Sequence, residues 1–379
     1  MGVLDTFNHR RPNIRLALRL GLLGQAHRWR EVGCLRGVMV GHVQARHPPI
    51  HLLQGTLVDE SFPLPGGEKG RFAASSHPIP GLDSHQGASN FLSAECTQMM
   101  EGFMAYKTIL LCLNEIARLP ALIEAAEQLG SKFKAHIAGL YVIPAVQVYP
   151  SSGYGTAPDY FDGNRIYFQN HRAKVVEAFE SAMKRAGLSF DLHVVDSGYA
   201  NIGDEVVDQA RAADLVVLSN IDREGSEGVE SDFVERFVIA AGRPVLVLPY
   251  TGKIDLKGEQ VLVGWSDARE SSRAVFDALP FLVKAKQVRL VSVDVAPRGT
   301  LPAAGMAEAL DRHGIKTVIT DVTSDGMSVG ETLLRAAKDH GAGLVVLGAY
   351  GHSRFAEMVF GGVTRHVLRH LDIPVLMSH

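Results

Sequence analysis

No run of 18 consecutive apolar residues occurs in the 379-residue chain, which excludes an ordinary membrane-spanning helix. Cysteine is scarce as well: Cys34, Cys96 and Cys112 are the only three, and no two are close. The sequence therefore holds neither a disulfide framework nor zinc-finger spacing. An excess of one charge is also lacking. The net charge of −3 gives no global pull toward nucleic acid or an anionic membrane surface. Near the start, Arg10, Arg11, Arg15 and Arg19 interrupt what would have to be the apolar core of a secretory signal. These absences predict a cytoplasmic protein with neither a nucleic-acid nor a membrane partner. Missing too are a GxSxG elbow, a GxxxxGK[ST] loop and a Cys/His pair placed as nucleophile and base, which argues against an enzyme.

The composition that remains is that of a folded protein. Hydrophobic residues make up 46% and charged residues 21%, enough for a sizeable core, and the length suits two or three domains. Residues 1–103 stand apart from the rest. They hold seven of the sixteen histidines and two of the three cysteines, with loop-like runs at Phe62–Gly70 and Ser75–Gly87. With no sustained period of 2 or 3.6 residues, this segment is expected to be a disordered extension without a core. Alternatively, Met100-Glu101-Gly102 can be encoded by a purine-rich ribosome-binding stretch, and translation then starts at Met104; the intact mass of the natively expressed protein decides between the two.

From Tyr106 onward the pattern changes. Lys107–Asn114 is a nearly continuous apolar run, as expected of a parallel strand covered on both faces. A helix follows with Leu119, Leu122, Ile123, Ala126 and Leu129 on one side, ending at Gly130. Further strands are predicted at His136–Val142, Asp191–Val195, Leu215–Ser219 and Pro244–Leu248, alternating with helices near His171–Gly187, Asp204–Ala212 and Asp232–Ala241. The same order then recurs. Gln260–Trp265, Gln287–Val293, Lys316–Asp321, Leu344–Gly348 and Pro374–Met377 read as five more strands, with Ala268–Val283 as the first helix. Ala213–Leu218 parallels Ala342–Leu347, and Gly242–Val247 parallels Asp372–Met377. The predicted fold is α/β: two tandem doubly wound five-stranded parallel sheets over residues 104–250 and 259–379, joined by a linker near Thr251–Gly258.

Chemistry concentrates in the second copy. Its fourth strand runs into Gly348, Gly351, His352, Arg354, Gly361, Gly362, Val363 and Thr364 before a helix at Val363–Leu371. Gly348 and Gly351 let backbone approach a ligand closely. Gly361 and Gly362 sit at a helix start, where free amides and the helix dipole attract an anion. Thr364 adds a hydroxyl, and Arg354, Arg365 and His352 add positive charge. The simpler alternative is that these glycines serve turns and a helix entrance; four of them between a buried strand and a helix favour a phosphate cradle. In the first copy the paired glycines are gone, and Asp222, Glu224, Glu227, Glu230 and Asp232 crowd the equivalent stretch, where like charge repels a phosphate.

Gly348-x2-Gly351-x9-Gly361, followed by a small residue and Val-Thr, resembles the signature of the universal stress protein family, G-x2-G-x9-G-[ST]. The resemblance extends over about Met104 to His379. It implies the Rossmann-like fold above, a role in stress resistance, and ATP or AMP, with or without magnesium, bound by Gly348, Gly351 and Gly361 with Gly362, Val363 and Thr364 beside them. It also places Gly264, Trp265, Ser266 and Asp267 at the end of the first strand, and Val293 at the end of the second, in the lining. Two positions depart from the family pattern. Ser266 stands where an acidic residue is usual, with Asp267 one place later, and Gly362 takes the usual Ser/Thr place; Asn114 holds the acidic position in the first copy. The expected function is adenine-nucleotide binding in the C-terminal domain, acting by conformation rather than catalysis. The rivals are a nucleotide-independent adaptor and a weak ATPase. The two domains are expected to pack through their last strands, and a homodimer or another protein partner is left open. His366 and His370, four apart on the last helix, are expected to form a solvated basic face rather than a metal site. The run Tyr149–Phe161 is expected to be a loop insertion, with a mobile lid as the alternative.

Overall fold

The computed structural model describes residues 29–35, 38–43, 105–149, 159–161, 163–222, 228–252, 254–294, 303–351 and 362–379. Contacts divide the chain into two compact units, residues 1–88 and 89–379. In the first unit, strands β1 (Trp29–Leu35) and β2 (Val38–Val43) pair antiparallel. The remaining expectations for residues 1–103 fall outside the described residues.

The second unit is built on one sheet of ten strands. Its first half contributes β3 (Thr108–Cys112), β4 (His136–Ile143), β7 (Phe190–Asp196), β8 (Leu215–Ser219) and β9 (Val245–Leu248). The second half contributes β10 (Gln260–Gly264), β11 (Gln287–Val293), β12 (Thr317–Val322), β13 (Leu344–Gly348) and β14 (Val375–Ser378). The order across the sheet is β12-β11-β10-β13-β14-β9-β8-β3-β4-β7. Every pairing is parallel except the central one, where β14 meets β9 antiparallel with Leu376 opposite Leu246. Each half is thus a doubly wound five-stranded parallel sheet, and the halves join through their last strands, as the sequence led us to expect. The central strands β8, β9 and β14 are buried along their whole length, which is why they read as unbroken apolar runs. The outermost strands β7 and β12 alternate toward solvent.

The helices of the first half are α1 (Leu119–Phe133), α2 (Gly163–Ala186), α3 (Ile202–Ala210) and α4 (Phe233–Ala240). Those of the second half are α5 (Arg269–Asp277), α6 (Leu279–Leu282), α7 (Ala304–Asp311), α8 (Val329–Asp339) and α9 (Val363–Arg369). Two sequence expectations need correction. First, α1 does not stop at Gly130; it runs on to Phe133 and ends at Lys134, whose φ of 52° turns the chain out of the helix. Gly130 is there for close packing, since a Cβ on it would lie 2.8 Å from Leu188 Cδ1. Second, α2 begins at Gly163, well before His171. Of its first two turns only Phe168 is buried, too little apolar periodicity to mark a helix. In the Tyr149–Phe161 run, the ends pair: β5 (Gln147–Tyr149) is antiparallel to β6 (Asp159–Phe161). The residues between them lie outside the described set.

The linker between the halves is held by α1. Lys132 Nζ donates to Leu256 O and Lys257 O at 3.0 and 2.7 Å, and Gln128 bonds Ile254 O and Leu256 N at 2.9 and 2.8 Å. Beside it the rings of Tyr106, Phe133 and Phe281 pack with centroids 5.0–5.7 Å apart, so one aromatic cluster is shared by both halves.

Candidate nucleotide site

The carboxyl ends of β10, β11 and β13 and the start of α9 lie at one end of the second half, where an open α/β sheet places its ligand. Two arms of the glycine motif meet there. After β13, Ala349 N donates to Ser378 O at 2.8 Å and keeps the chain tied to the sheet. Tyr350 then takes φ 55°, an uncommon conformation for a residue with a side chain. Its amide donates to Thr364 Oγ1 at 3.2 Å, and Thr364 is buried at 2% exposure. The loop therefore leaves β13 and returns at α9 to the same spot. Gly362 caps α9 with backbone alone, and the first turn of the helix carries no acidic side chain.

Each of three predicted site glycines has a packing reason. A Cβ on Gly264 would lie 2.4 Å from Leu347 Cδ2. On Gly348 it would lie 2.4 Å from Ser271 N and 2.5 Å from Glu270 C, so β13 could not pass the start of α5 with any side chain there. On Gly351 it would lie 2.9 Å from Glu270 Oε2. The space left by two motif glycines is thus filled by α5 of the same domain. Ser266 and Asp267 are exposed at the turn into α5, and Ser266 Oγ shares a hydrogen bond with Ser271 Oγ at 2.8 Å. Trp265 and Val293 are partly buried against the core. Gly362 and Val363 are half-buried. His352, Arg354 and Gly361 lie outside the described residues.

Two groups at this end escaped the sequence reading. Glu270, in the first turn of α5, is 4% exposed and pairs with Arg269, whose side chain is largely in solvent. Burial pushes its carboxyl up, but the hydrogen bond from Arg269, its own backbone amide and the charges of Arg269 and His379 outweigh that and hold it below the ordinary range. An acidic residue just after a strand–turn signal was the available clue; helix starts commonly carry one, so nothing in the sequence singled it out. Ser292, one residue before Val293, is buried with no hydrogen-bond partner for its hydroxyl among the described residues. On α9, His366 and His370 stack at 4.3 Å, and His366 Nδ1 lies 3.3 Å from Ser328 Oγ at the cap of α8. Burial, then the charge of His370, lowers the proton affinity of His366. A cavity of about 440 Å³ bordered by Glu259, Lys286 and Lys316 opens at the opposite end, at the strand starts, and includes none of these residues.

At the corresponding end of the first half, two described side chains bond to the protein's own backbone. Asn114, after β3, is 1% exposed and bridges to β4, donating to Val142 O at 2.7 Å and accepting from Val142 N at 3.0 Å. Glu230 Oε1 accepts the amide of Ile202 at the start of α3 at 3.0 Å, while Oε2 is buried without a partner among the described residues. Burial raises the Glu230 carboxyl, and burial pushes the nearby Cys112 thiol up to about 12. Glu224 and Glu227 lie outside the described residues.

The model of the Universal stress protein family matches residues 259–379. The C-terminal half belongs to the universal stress protein family. Similarity to that family extends beyond this half: the universal stress protein Slr1230 of Synechocystis is 25% identical over 301 residues, taking in 71% of this chain and 99% of the relative. Among solved structures, a universal stress protein from Archaeoglobus fulgidus, 16% identical, superimposes with a TM-score of 0.54 over 72% of this chain and 95% of its own, which supports the shared fold. Another solved universal stress protein, described as in complex with cAMP, is 22% identical over 32% of this chain and 97% of its own, with a TM-score of 0.26; the cAMP is a property of that complex. Among the described residues no helix is long and apolar enough to cross a membrane.

Proposed function

We propose that the C-terminal universal stress protein domain binds an adenine nucleotide, ATP or AMP, with or without magnesium, and that the protein acts through binding and conformation rather than catalysis. The observation that carries this reading is the bond from Tyr350 N to Thr364 Oγ1 at 3.2 Å. It brings Gly351 and the start of α9 together at the strand ends, where small residues expose backbone amides. Gly362 supplies neither a capping side chain nor a carboxylate, and no acid follows in the first turn, so the cap and first turn of the helix leave its positive end without an acidic side chain of their own.

The substitution Gly362→Asp tests this without damaging the fold. Gly362 has φ −47° and ψ 152°, which any residue adopts, and Asp is a preferred cap that should leave stability unchanged or raise it by a few tenths of a kcal/mol. Its carboxylate would stand where phosphate is expected. Calorimetry on the full chain should show ATP affinity falling about tenfold or more, with the melting midpoint unchanged or higher. Equal affinity in both proteins would remove the phosphate from this position.

Glu270 favours a second reading, the nucleotide-independent adaptor. Its buried carboxylate against Gly351 repels any phosphate placed close by. On that reading the wild-type chain shows no heat of binding at millimolar ATP.

A further inference from the structure

Asn220 follows β8 in the first half at the place Ala349 occupies after β13 in the second. The two backbones do the same work: Asn220 N donates to Leu248 O at 2.8 Å, as Ala349 N does to Ser378 O. The side chains do not. Asn220 Nδ2 crosses between the halves and donates to Leu368 O in the last turn of α9 at 2.6 Å, and the residue is 8% exposed. Its Oδ1 accepts from Ile221 N at 3.1 Å, so the side-chain amide is held at both its oxygen and its nitrogen, and Ser219 Oγ donates to the backbone carbonyl of Asn220 at 2.8 Å.

Leu368 O is one of the last-turn carbonyls that a helix cannot satisfy within itself. A buried one left without a donor is costly, so the bond fixes where the end of α9 rests. A second contact across the boundary is weaker: Arg365 Nε on α9 lies 4.0 Å from Glu235 Oε2 on α4. The seven residues of α9 are too few to hold a helix by local forces, so its place is set by what it touches. Ala349 has no polar side chain with which to return the bond. At this pair of equivalent positions, then, the side-chain bond runs one way, from the first half to the second.

We propose that Asn220 is a positioning residue for the C-terminal site: the first half has become a support that sets α9, and with it the Gly362–Thr364 arm, for ligand. This rests on the nucleotide reading of that site. It assigns the first half a role that does not require a ligand of its own.

The test uses the full chain with Asn220→Leu, which keeps the volume and removes the donor, and Asn220→Ser in case the first variant does not fold. Ile137→Val in β4 serves as a control that thins the core of the first half away from α9. Hydrogen exchange of the α9 amides is measured without ligand, and ATP binding is measured by calorimetry well below every melting midpoint. Exchange in α9 should quicken and ATP affinity should fall about tenfold in the Asn220 variants, while the control keeps its affinity within about twofold at a comparable loss of midpoint. Unchanged exchange in α9 would overturn the proposal. So would quicker exchange with wild-type affinity, because the bond would then be structural only. A wild-type chain that binds no ATP would overturn the nucleotide reading and this proposal with it, a result distinct from the other two.

Discussion

At the carboxyl end of the first half, Asn114 is spent bridging two strands and Glu230 holds the amide that opens α3. At the same end of the second half, Ser266 stands exposed on a turn and α9 begins with a bare glycine. Strand order is shared by the two halves, so at these ends the contrast among the described residues lies in a few side chains at the loop positions. Duplication of a fold thus leaves the equivalent ends of its two copies free to diverge. In one, Asn114 and Glu230 bond to backbone of the same half; in the other, the cap of α9 carries no side-chain hydrogen bond. Asn220 of the first half also reaches the last turn of α9 in the second. Pairing β14 with β9 uses the last strand of each half internally, so neither of these strands offers an open edge to a second copy.

The sharpest way to break the comparison is at Gly348, whose counterpart in the first half is Ser219. Gly348→Ala places a methyl group 2.4 Å from the Ser271 amide nitrogen, against backbone that cannot give, and should cost about 3 kcal/mol. Ser219→Ala removes only a hydroxyl that donates to Asn220 O and should cost less than about 1 kcal/mol. Urea midpoints compared side by side decide this; similar losses at the two positions would mean that α5 does not crowd β13. A smaller effect is expected at Thr364. Thr364→Val keeps the shape but leaves the Tyr350 amide without this acceptor, at a cost of about 1–2 kcal/mol. Exchange of the Tyr350 amide should quicken, and an unchanged rate would show that the arms of the loop close by other means.

The smallest effect tests the filled site. Burial raises the Glu230 carboxyl above its ordinary value of 4.5, so the folded protein binds more protons than the unfolded chain between those two values. Stability contributed by this group is therefore greatest at low pH and is lost as pH climbs through the raised value. Glu230→Gln keeps an acceptor for Ile202 N and removes the charge. It should raise the melting midpoint by about 1–2 °C at neutral pH, with the gain shrinking to nothing as pH falls below the ordinary glutamate range. A gain that persists at low pH would point to packing rather than charge.

Much of the architecture was legible before any coordinate. The strands predicted at Leu215–Ser219, Gln287–Val293 and Leu344–Gly348 match those observed residue for residue, because each is built on closely spaced buried apolar residues. The start of α2 was not legible, since its first turns rest on the sheet through Phe168 alone. At the candidate site, the positions of Gly348, Gly351, Gly362 and Thr364 could be listed from the motif, but what fills the space beside the glycines could not. A missing side chain looks the same in a sequence whether a ligand or the protein's own helix lies against it.

The order of amino acids alone determined the alternation of strand and helix, the duplication, and the contrast between an acidic loop and a glycine-rich one, because each follows from local spacing and residue type. Only the tertiary structure decided that Glu270 lies beneath Gly351, that Glu230 accepts the amide of Ile202, and that Asn220 reaches α9 across the two halves. The Asn220 contact joins residues 148 apart in the chain, and it is the pairing of β14 with β9 that brings the two halves within hydrogen-bonding reach.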